Sequence, residues 1–277
     1  MNYLVPFLEE NNMRGLSGVI YGREGMGKTS LGLRFPGPVH CKSILESGYD
    51  DLEMVGGVPE NSTNVRIKTF EQLVDETKKV QSGTLLIDSS KGLQSKIFDY
   101  VCQTYYKNDR VAFNSYSAGA RRESPAVLQD YLDLCSYKTD QGINVIFIGH
   151  VGTISLPNTM GPDYLCHVIN LDDGEKGLGM RTTLTAWAGF IFFLNLSVDI
   201  TRVTEADRST RLAMEGKAKE FSERILYTTS STAHQAKNRW NMPPVIPMGK
   251  NPEEAWNNLF KALPEGYRKE VTKSAGV

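Results

Sequence analysis

Residues Gly22–Thr29 match the phosphate-binding loop pattern G-x-x-x-x-G-K-[ST] without a mismatch. The apolar stretch Leu16–Tyr21 before them is typical of a short buried strand, and Ser30–Phe35 after them can open a helix. In that setting the backbone N–H groups of the loop close around a β-phosphate, and the start of the helix adds partial positive charge. Lys28 would reach the β- and γ-phosphates, and the Thr29 hydroxyl would ligate Mg²⁺. The alternative, a glycine-rich turn, leaves the lysine and the threonine unexplained.

The loop also predicts the cofactors. A loop that ends in lysine and threonine binds a nucleoside triphosphate together with a divalent cation, so we expect ATP and Mg²⁺. The residues predicted to bind the nucleotide are Gly22, Arg23, Glu24, Gly25, Met26, Gly27, Lys28, Thr29 and Ser30.

Two carboxylates and a histidine stand at the ends of stretches predicted to be strands. Asp88 ends one of them, where P-loop proteins place the acid that holds Mg²⁺ through water, so Thr29 and Asp88 are the predicted metal residues. Glu46 ends a second and could act as the base that orients water for attack on the γ-phosphate; the alternative is a helix-capping or solvated glutamate. His150 ends a third and could sense the γ-phosphate and signal to the next loop; the alternative is a structural histidine.

Two cations, Lys237 and Arg239, follow the strand predicted at residues 224–229. In a strand they would face the same side, because side chains alternate. They could then reach a nucleotide, including that of a neighbouring subunit, as charge-stabilising fingers. The alternative is a solvated basic edge.

The elements that position these residues follow from hydrophobic periodicity. Near-continuous apolar stretches alternate with segments of helical spacing, which is typical of a parallel sheet covered on both faces by helices. The predicted strands span residues 16–21, 39–46, 64–68, 83–88, 143–148, 190–196 and 224–229. The predicted helices span residues 69–81, 93–106, 125–138 and 251–263, the first capped by Thr69. Residues 107–124 and 151–181 are predicted to be loop-like, and residues 199–223 are a charged stretch.

The composition is ordinary for a globular protein of 277 residues, with 40% hydrophobic and 23% charged residues. We expect one core domain over residues 1–250, led by a segment at 1–13, and a C-terminal helix and tail at 251–277. No apolar run reaches the roughly 18 residues of a membrane span, and the N-terminus lacks a basic signal region. We therefore expect a cytoplasmic protein with no membrane partner. The net charge of −1 limits any nucleic-acid site to a local basic groove.

The cysteines show no C-x-x-C spacing, and a reducing compartment argues against disulfides. We expect them to be buried free thiols. They are Cys41, Cys102, Cys135 and Cys166.

Together these features resemble the RecA-like core of P-loop ATPases, and more narrowly the small phage and bacterial RecA-like ATPases of single-strand annealing and recombination. The resemblance spans roughly residues 14–248 and rests on four segments: 45–48, 85–89, 146–150 and 236–239. It implies an α/β fold with a mostly parallel central sheet and helices on both faces. It also implies a base role for Glu46, a sensor role for His150 and a role across the subunit interface for Lys237 and Arg239. Arg239 stands where the family carries a second lysine.

In that family two loops bind single-stranded DNA, and they correspond here to residues 107–124 and 151–181. The first combines cations with aromatic residues, which suits sequence-tolerant strand binding; the alternative is a plain surface loop. The second also carries acids and is not basic. The residues predicted to bind DNA are Lys107, Arg110, Tyr116, Arg121, Arg122, Lys176 and Arg181.

The resemblance implies an Mg²⁺-dependent ATPase that binds single-stranded DNA and acts in recombination or repair. We expect single-strand annealing by a filament or ring, with a single-strand DNA-binding protein as a further partner, in a bacterial or phage setting. One alternative is a P-loop kinase for a nucleoside or small metabolite, with a lid formed by Arg202, Arg208 and Arg211. The other is a nucleotide-gated DNA-packaging or partner-binding module with little turnover.

Overall fold

A computed structural model describes residues 13–115, 122–158, 161–173, 179–201 and 217–274. Its strands are β1 Ser17–Gly22, β2 Val39–Ser43, β3 Ser62–Arg66, β4 Thr84–Asp88, β5 Asn144–Leu156, β6 Tyr164–Ile169, β7 Phe190–Thr201, β8 Lys217–Tyr227 and β9 Val245–Pro247. Its helices are α1 Lys28–Gly32, α2 Gly48–Met54, α3 Phe70–Lys79, α4 Ser90–Tyr106, α5 Arg110–Asn114, α6 Ser124–Asp140, α7 Met180–Trp187, α8 Pro252–Ala262 and α9 Glu265–Ser274.

The strands form one sheet in the order β3-β2-β4-β5-β1-β7-β8-β9. The pairings from β3 to β7 are parallel, whereas β8 and β9 are antiparallel, and β6 pairs with the outer half of β5. The predicted α/β fold class, with a mostly parallel sheet, is therefore confirmed. Since β5 separates β4 from β1, the strand with Asp88 and the strand before the phosphate loop end at one edge, one strand apart.

Helices cover both faces of the sheet, as the apolar strands require. Successive strand residues alternate between two buried clusters, as the period of two demands. Val19 lies in a cluster with residues of α3, α4, α6 and α7, while its neighbour Ile20 lies in a cluster with residues of α1 and α8. Phe147 and Ile146 divide in the same way on β5. The central strands are thus buried on both sides, which explains their lack of polar positions.

The helix starts agree with the capping chemistry of the sequence. The Thr69 hydroxyl accepts a hydrogen bond from the Gln72 N–H, and the Asn251 side chain accepts one from Glu254. Both predicted helices are confirmed. Helix α4 begins at Ser90, earlier than predicted, because Ser89 caps it by accepting the Gly92 N–H at 3.2 Å.

The prediction of an irregular segment at residues 151–181 is wrong over most of its described length. Strand β5 continues to Leu156, β6 returns antiparallel beside it, and α7 begins at Met180. The two strands form a hairpin that we call the β5–β6 hairpin. Its outer residues are partly exposed, so they lack the continuous apolar run that marks the buried half of β5.

The prediction that residues 107–124 are a loop is also wrong in part. Helix α5 lies within them, and the Asp109 carboxylate caps it by accepting the N–H groups of Val111 and Ala112. Strands β7 and β8 are longer than predicted, since they extend into the charged stretch at residues 199–223. The charged residues of this stretch form no apolar run from which a strand could be predicted.

The four cysteines are buried and free, as predicted. Burial raises the pKa of the Cys41 thiol to about 12, so it stays protonated near neutral pH. Across the described ranges, no helix is long and apolar enough to cross a membrane.

Candidate nucleotide-binding site

The phosphate loop joins β1 to α1, with two of its glycines in the left-handed region. Gly25 has φ +73° and Gly27, which precedes α1, has φ +87°. Side chains with a β-carbon rarely adopt such angles. The glycines are therefore needed for the path of the loop, whose backbone N–H groups must converge on a phosphate.

Lys28 lies over this loop and is 7% exposed. Its ammonium donates to the carbonyl oxygens of Gly22 at 3.1 Å and Arg23 at 2.7 Å. Burial lowers the pKa of Lys28, while the charges of Asp88 and Glu46 act in the opposite direction. The lysine is thus already directed at the loop, where phosphate oxygens could replace the two carbonyl oxygens.

The two predicted metal residues are in direct contact. The Thr29 hydroxyl donates to Asp88 Oδ2 at 2.7 Å, and Asp88 is 3% exposed. Burial raises the pKa of Asp88, and the Thr29 hydrogen bond only opposes this effect. A buried carboxylate beside a hydroxyl is a donor set that suits Mg²⁺, so these residues fit the predicted cation.

Glu46 and His150 also meet, although they are predicted from separate strands. Glu46 Oε1 lies 2.7 Å from His150 Nε2 and accepts a hydrogen bond from the Ser89 hydroxyl at 2.9 Å. The two side chains are 28% and 23% exposed respectively. The carboxylate is therefore held in place by both β5 and the cap of α4.

His150 lies within β5, not at its end as predicted. It pairs with Gly22 in the register of β1 and β5, where the parallel pairing gives way to the β5–β6 hairpin. Its Nδ1 is buried and lacks a hydrogen-bond partner in the described part of the chain. A cavity of about 350 Å³ is lined by His150, Val151 and the first loop residues Gly22, Arg23 and Glu24.

Lys237 and Arg239 do not lie in a strand, so that part of their prediction is wrong. Lys237 forms an isolated bridge with Ile191, and its ammonium donates to the carbonyl oxygens of Thr185 at 3.0 Å and Ala188 at 2.6 Å. The ammonium thus caps the C-terminal end of α7. Arg239 is exposed. Their role across a subunit interface stays a prediction.

The residues predicted to bind DNA fall into three groups: ion-paired, exposed, and outside the described residues. Arg110 pairs with Asp99 at 2.5 Å and Arg181 with Asp173 at 2.6 Å, so two of the cations are already neutralised. Lys107 and Arg122 are exposed. Tyr116, Arg121 and Lys176 lie outside the described residues, as do the kinase-lid candidates Arg202, Arg208 and Arg211.

Two residues beside the loop and the carboxylates are absent from the predicted set. Ser89 holds Glu46, and the Arg224 guanidinium lies against Gly27. A serine directly after Asp88 gave a usable signal, because residues that follow a strand-ending acid belong to the same edge. Arg224 gave none, since its place depends on how far β8 extends.

A phosphate loop, with a buried acid bonded to its threonine one strand away, defines a P-loop nucleotide-binding site. Residues 14–240 match the family described as AAA domain, and the chain belongs to that family. It is thus an AAA-type P-loop ATPase. No curated protein matches it.

Among solved structures, the chain is similar to the flagellar accessory protein FlaH from Methanocaldococcus jannaschii. The TM-score is 0.38 with 11% sequence identity, and the match covers 85% of each chain. We draw no functional inference from a likeness of that size.

Proposed function

We propose that this protein is an Mg²⁺-dependent ATPase that is stimulated by single-stranded DNA and acts in DNA recombination or repair, through single-strand annealing as an oligomer. The observation that carries the proposal is the position of the Glu46 carboxylate between Ser89 and His150. Ser89 caps α4 and His150 lies in β5, and these two elements lead to the two segments predicted to bind DNA.

The chemistry follows from the side chains at the loop. Thr29 and Asp88 would hold Mg²⁺, which neutralises charge on the β- and γ-phosphates when bound. Lys28 would bind the same phosphates. Glu46 would orient a water molecule and accept its proton as the water attacks the γ-phosphate. Its hydrogen bonds to Ser89 and His150 set where its free carboxylate oxygen can point.

The first route is α4. Ser89 caps this helix, whose 17 residues extend about 25 Å at 1.5 Å per residue. Its far end carries the exposed Tyr105 and Lys107, and Arg122 is exposed at the start of the described chain beyond α5. Single-stranded DNA bound there could change the position of α4, and with it the position of the Ser89 hydroxyl that bonds Glu46.

The second route is β5. This strand runs unbroken from His150 into the β5–β6 hairpin, and the His150 carbonyl oxygen accepts the Asn170 N–H at 2.9 Å. In their described residues, the hairpin strands carry no lysine or arginine. DNA phosphates would therefore be bound mainly by the cations near α4, while the hairpin would respond to the γ-phosphate through His150.

Binding of a fluorescent single-stranded oligonucleotide in the presence of Mg-ATP tests the DNA part of the proposal. The double variant Lys107→Ala/Arg122→Ala should weaken binding and flatten its salt dependence, each lost phosphate contact lowering the slope by about 0.7. Arg14→Ala/Lys269→Ala makes the same charge change at two exposed sites away from α4 and should bind like the parent protein.

Equal binding by both double variants would remove Lys107 and Arg122 from the DNA site. If the parent protein itself binds no single-stranded DNA at low salt, the proposed function in recombination is refuted, and the ATPase assignment stands alone.

A further inference from the structure

Arg224 lies beside the phosphate loop because β8 extends past the end of β1. Gly22, the last residue of β1, pairs with Leu194 of β7, which in turn pairs with Leu226 of β8. Arg224 pairs with Leu196, two residues further out. Since β8 is antiparallel, it carries Arg224 beyond the sheet edge from which the loop emerges.

Arg224 is held in place both at its guanidinium and at its backbone. Nη1 of Arg224 lies 2.8 Å from the place that a β-carbon on Gly27 would take, and Nη2 donates to the Gly249 carbonyl oxygen at 3.3 Å. The Met248 N–H donates to the Arg224 carbonyl oxygen at 2.9 Å. Leu226, on the same face of β8, is buried in the cluster beneath α1. The loop therefore has a fixed cation at its side.

The charge of Arg224 lacks a carboxylate partner in the part of the chain that the structure describes. Other arginines pair with an aspartate or glutamate; they are Arg14, Arg34, Arg66, Arg110 and Arg181. Arg224 instead donates to one carbonyl oxygen, and Lys28 occupies the same loop. A phosphate bound at the loop would attract both cations.

We propose that Arg224 binds the phosphates of the bound nucleotide in cis, as a second cation of the phosphate loop beside Lys28. The inference rests on the proposed nucleotide binding and names a further residue of that site. A guanidinium presents several donors in one plane and forms strong charge-assisted hydrogen bonds with phosphate oxygens. Arg224 then contributes to affinity for a nucleoside di- or triphosphate without taking part in proton transfer.

The binding of ADP with Mg²⁺ to the full chain tests this inference. Arg224→Gln should raise the Kd about 10-fold, which corresponds to about 1.4 kcal/mol. Arg224→Lys keeps the charge but loses the planar donors, so it should raise the Kd by a smaller factor than Arg224→Gln does. Arg14→Gln, an exposed arginine before β1 that pairs with Asp140, is the matched control and should leave the Kd unchanged.

Competition by inorganic pyrophosphate locates the contact. Arg224→Gln should weaken pyrophosphate and ADP by similar factors. An effect on ADP alone would place Arg224 against the base or ribose and overturn the inference. An unchanged Kd for ADP, or equal losses in the glutamine and lysine variants, would overturn it too. No binding of ADP by the parent protein would instead refute nucleotide binding itself.

Discussion

At the scale of single residues, the acidic side chains of the site meet partners that are distant in the sequence. Thr29 bonds Asp88, 59 residues away, and Glu46 contacts His150, 104 residues away. The parallel strands bring these residues together because their carboxyl ends share one edge of the sheet. The chemistry of the loop therefore depends on hydrogen bonds between elements that are far apart in the sequence.

Lys28 gives the most direct residue-scale prediction. Lys28→Ala should abolish the stabilisation of the protein by Mg-ATP, because its ammonium is directed at the phosphate loop. Ligand at about 100 times Kd contributes roughly 2.7 kcal/mol, or on the order of 5–10 °C in Tm for a chain of this size. Thermal unfolding with and without Mg-ATP measures this shift. An undiminished shift in the variant would contradict the phosphate-loop assignment.

Glu46 gives the second prediction. Glu46→Gln should lower the rate of phosphate release by about 100-fold or more, since a positioned base contributes roughly 10²–10⁴. The Kd for ATP should change little, because Glu46 acts on water and not on the phosphates. Ser89→Ala, which removes one hydrogen bond to the carboxylate but keeps the base, should lose less. A variant that releases phosphate at the parent rate would exclude Glu46 as the base.

Much of this site follows from the sequence, and the remainder does not for a physical reason. The loop pattern and the strand-ending acid predict that Thr29 and Asp88 are neighbours. The hydrogen bond between Glu46 and His150 depends on the length of β5 and on the rotamers of the two side chains. Neither can be predicted from a local sequence pattern. Arg224 belongs to no motif, so only the register of β7 and β8 reveals it.

At the scale of elements, local chemistry predicts the helices better than the partly exposed strands. The N-caps Thr69 and Asn251 mark two helix starts that can be predicted directly from the sequence. The outer half of β5 and the distal parts of β7 and β8 have sequences of mixed polarity. Their pairing is decided by long-range register, which periodicity within one strand does not reveal.

The junction between the β5–β6 hairpin and the segment after β8 gives an element-scale prediction. His234 is buried, forms an isolated β-bridge with His167 of β6, stacks on Phe193 and lies against the Tyr227 ring. Burial lowers the pKa of His234, and His167 acts in the same direction. The unfolded chain therefore binds this proton more tightly, so the stability contributed by neutral His234 is lost as pH falls below about 6.5.

We expect His234→Gln to show a smaller fall in Tm than the parent protein between about pH 7.5 and about pH 5.5. Thermal unfolding across this range, in buffers of equal ionic strength, measures the difference. Parallel curves for the two proteins would show that His234 does not contribute to the acid sensitivity.

At the scale of the whole molecule, the structure places one nearly complete site in one chain. The phosphate loop, the residues proposed to hold Mg²⁺ and the carboxylate proposed to orient water all come from the same core, whereas Arg239 is exposed on the surface. If Arg239 acts on a neighbour's nucleotide, as the resemblance implies, activity depends on an interface between copies.

A mixing experiment tests this dependence. Glu46→Gln and Arg239→Ala should each be nearly inactive alone. In an equal mixture about a quarter of the head-to-tail interfaces would combine an intact Glu46 with an intact Arg239. The mixture should therefore release phosphate faster than the mean of the two separate proteins. A rate equal to that mean would argue against a role for Arg239 across the interface.

We expect single-stranded DNA to stimulate ATP hydrolysis through Ser89 and His150, the partners of Glu46. Phosphate release from Mg-ATP, with and without single-stranded DNA at low and moderate salt, measures it most directly. We predict strong stimulation that weakens as salt rises and is absent in Glu46→Gln. A rate in the parent protein that is indifferent to the DNA at every salt concentration would contradict the account.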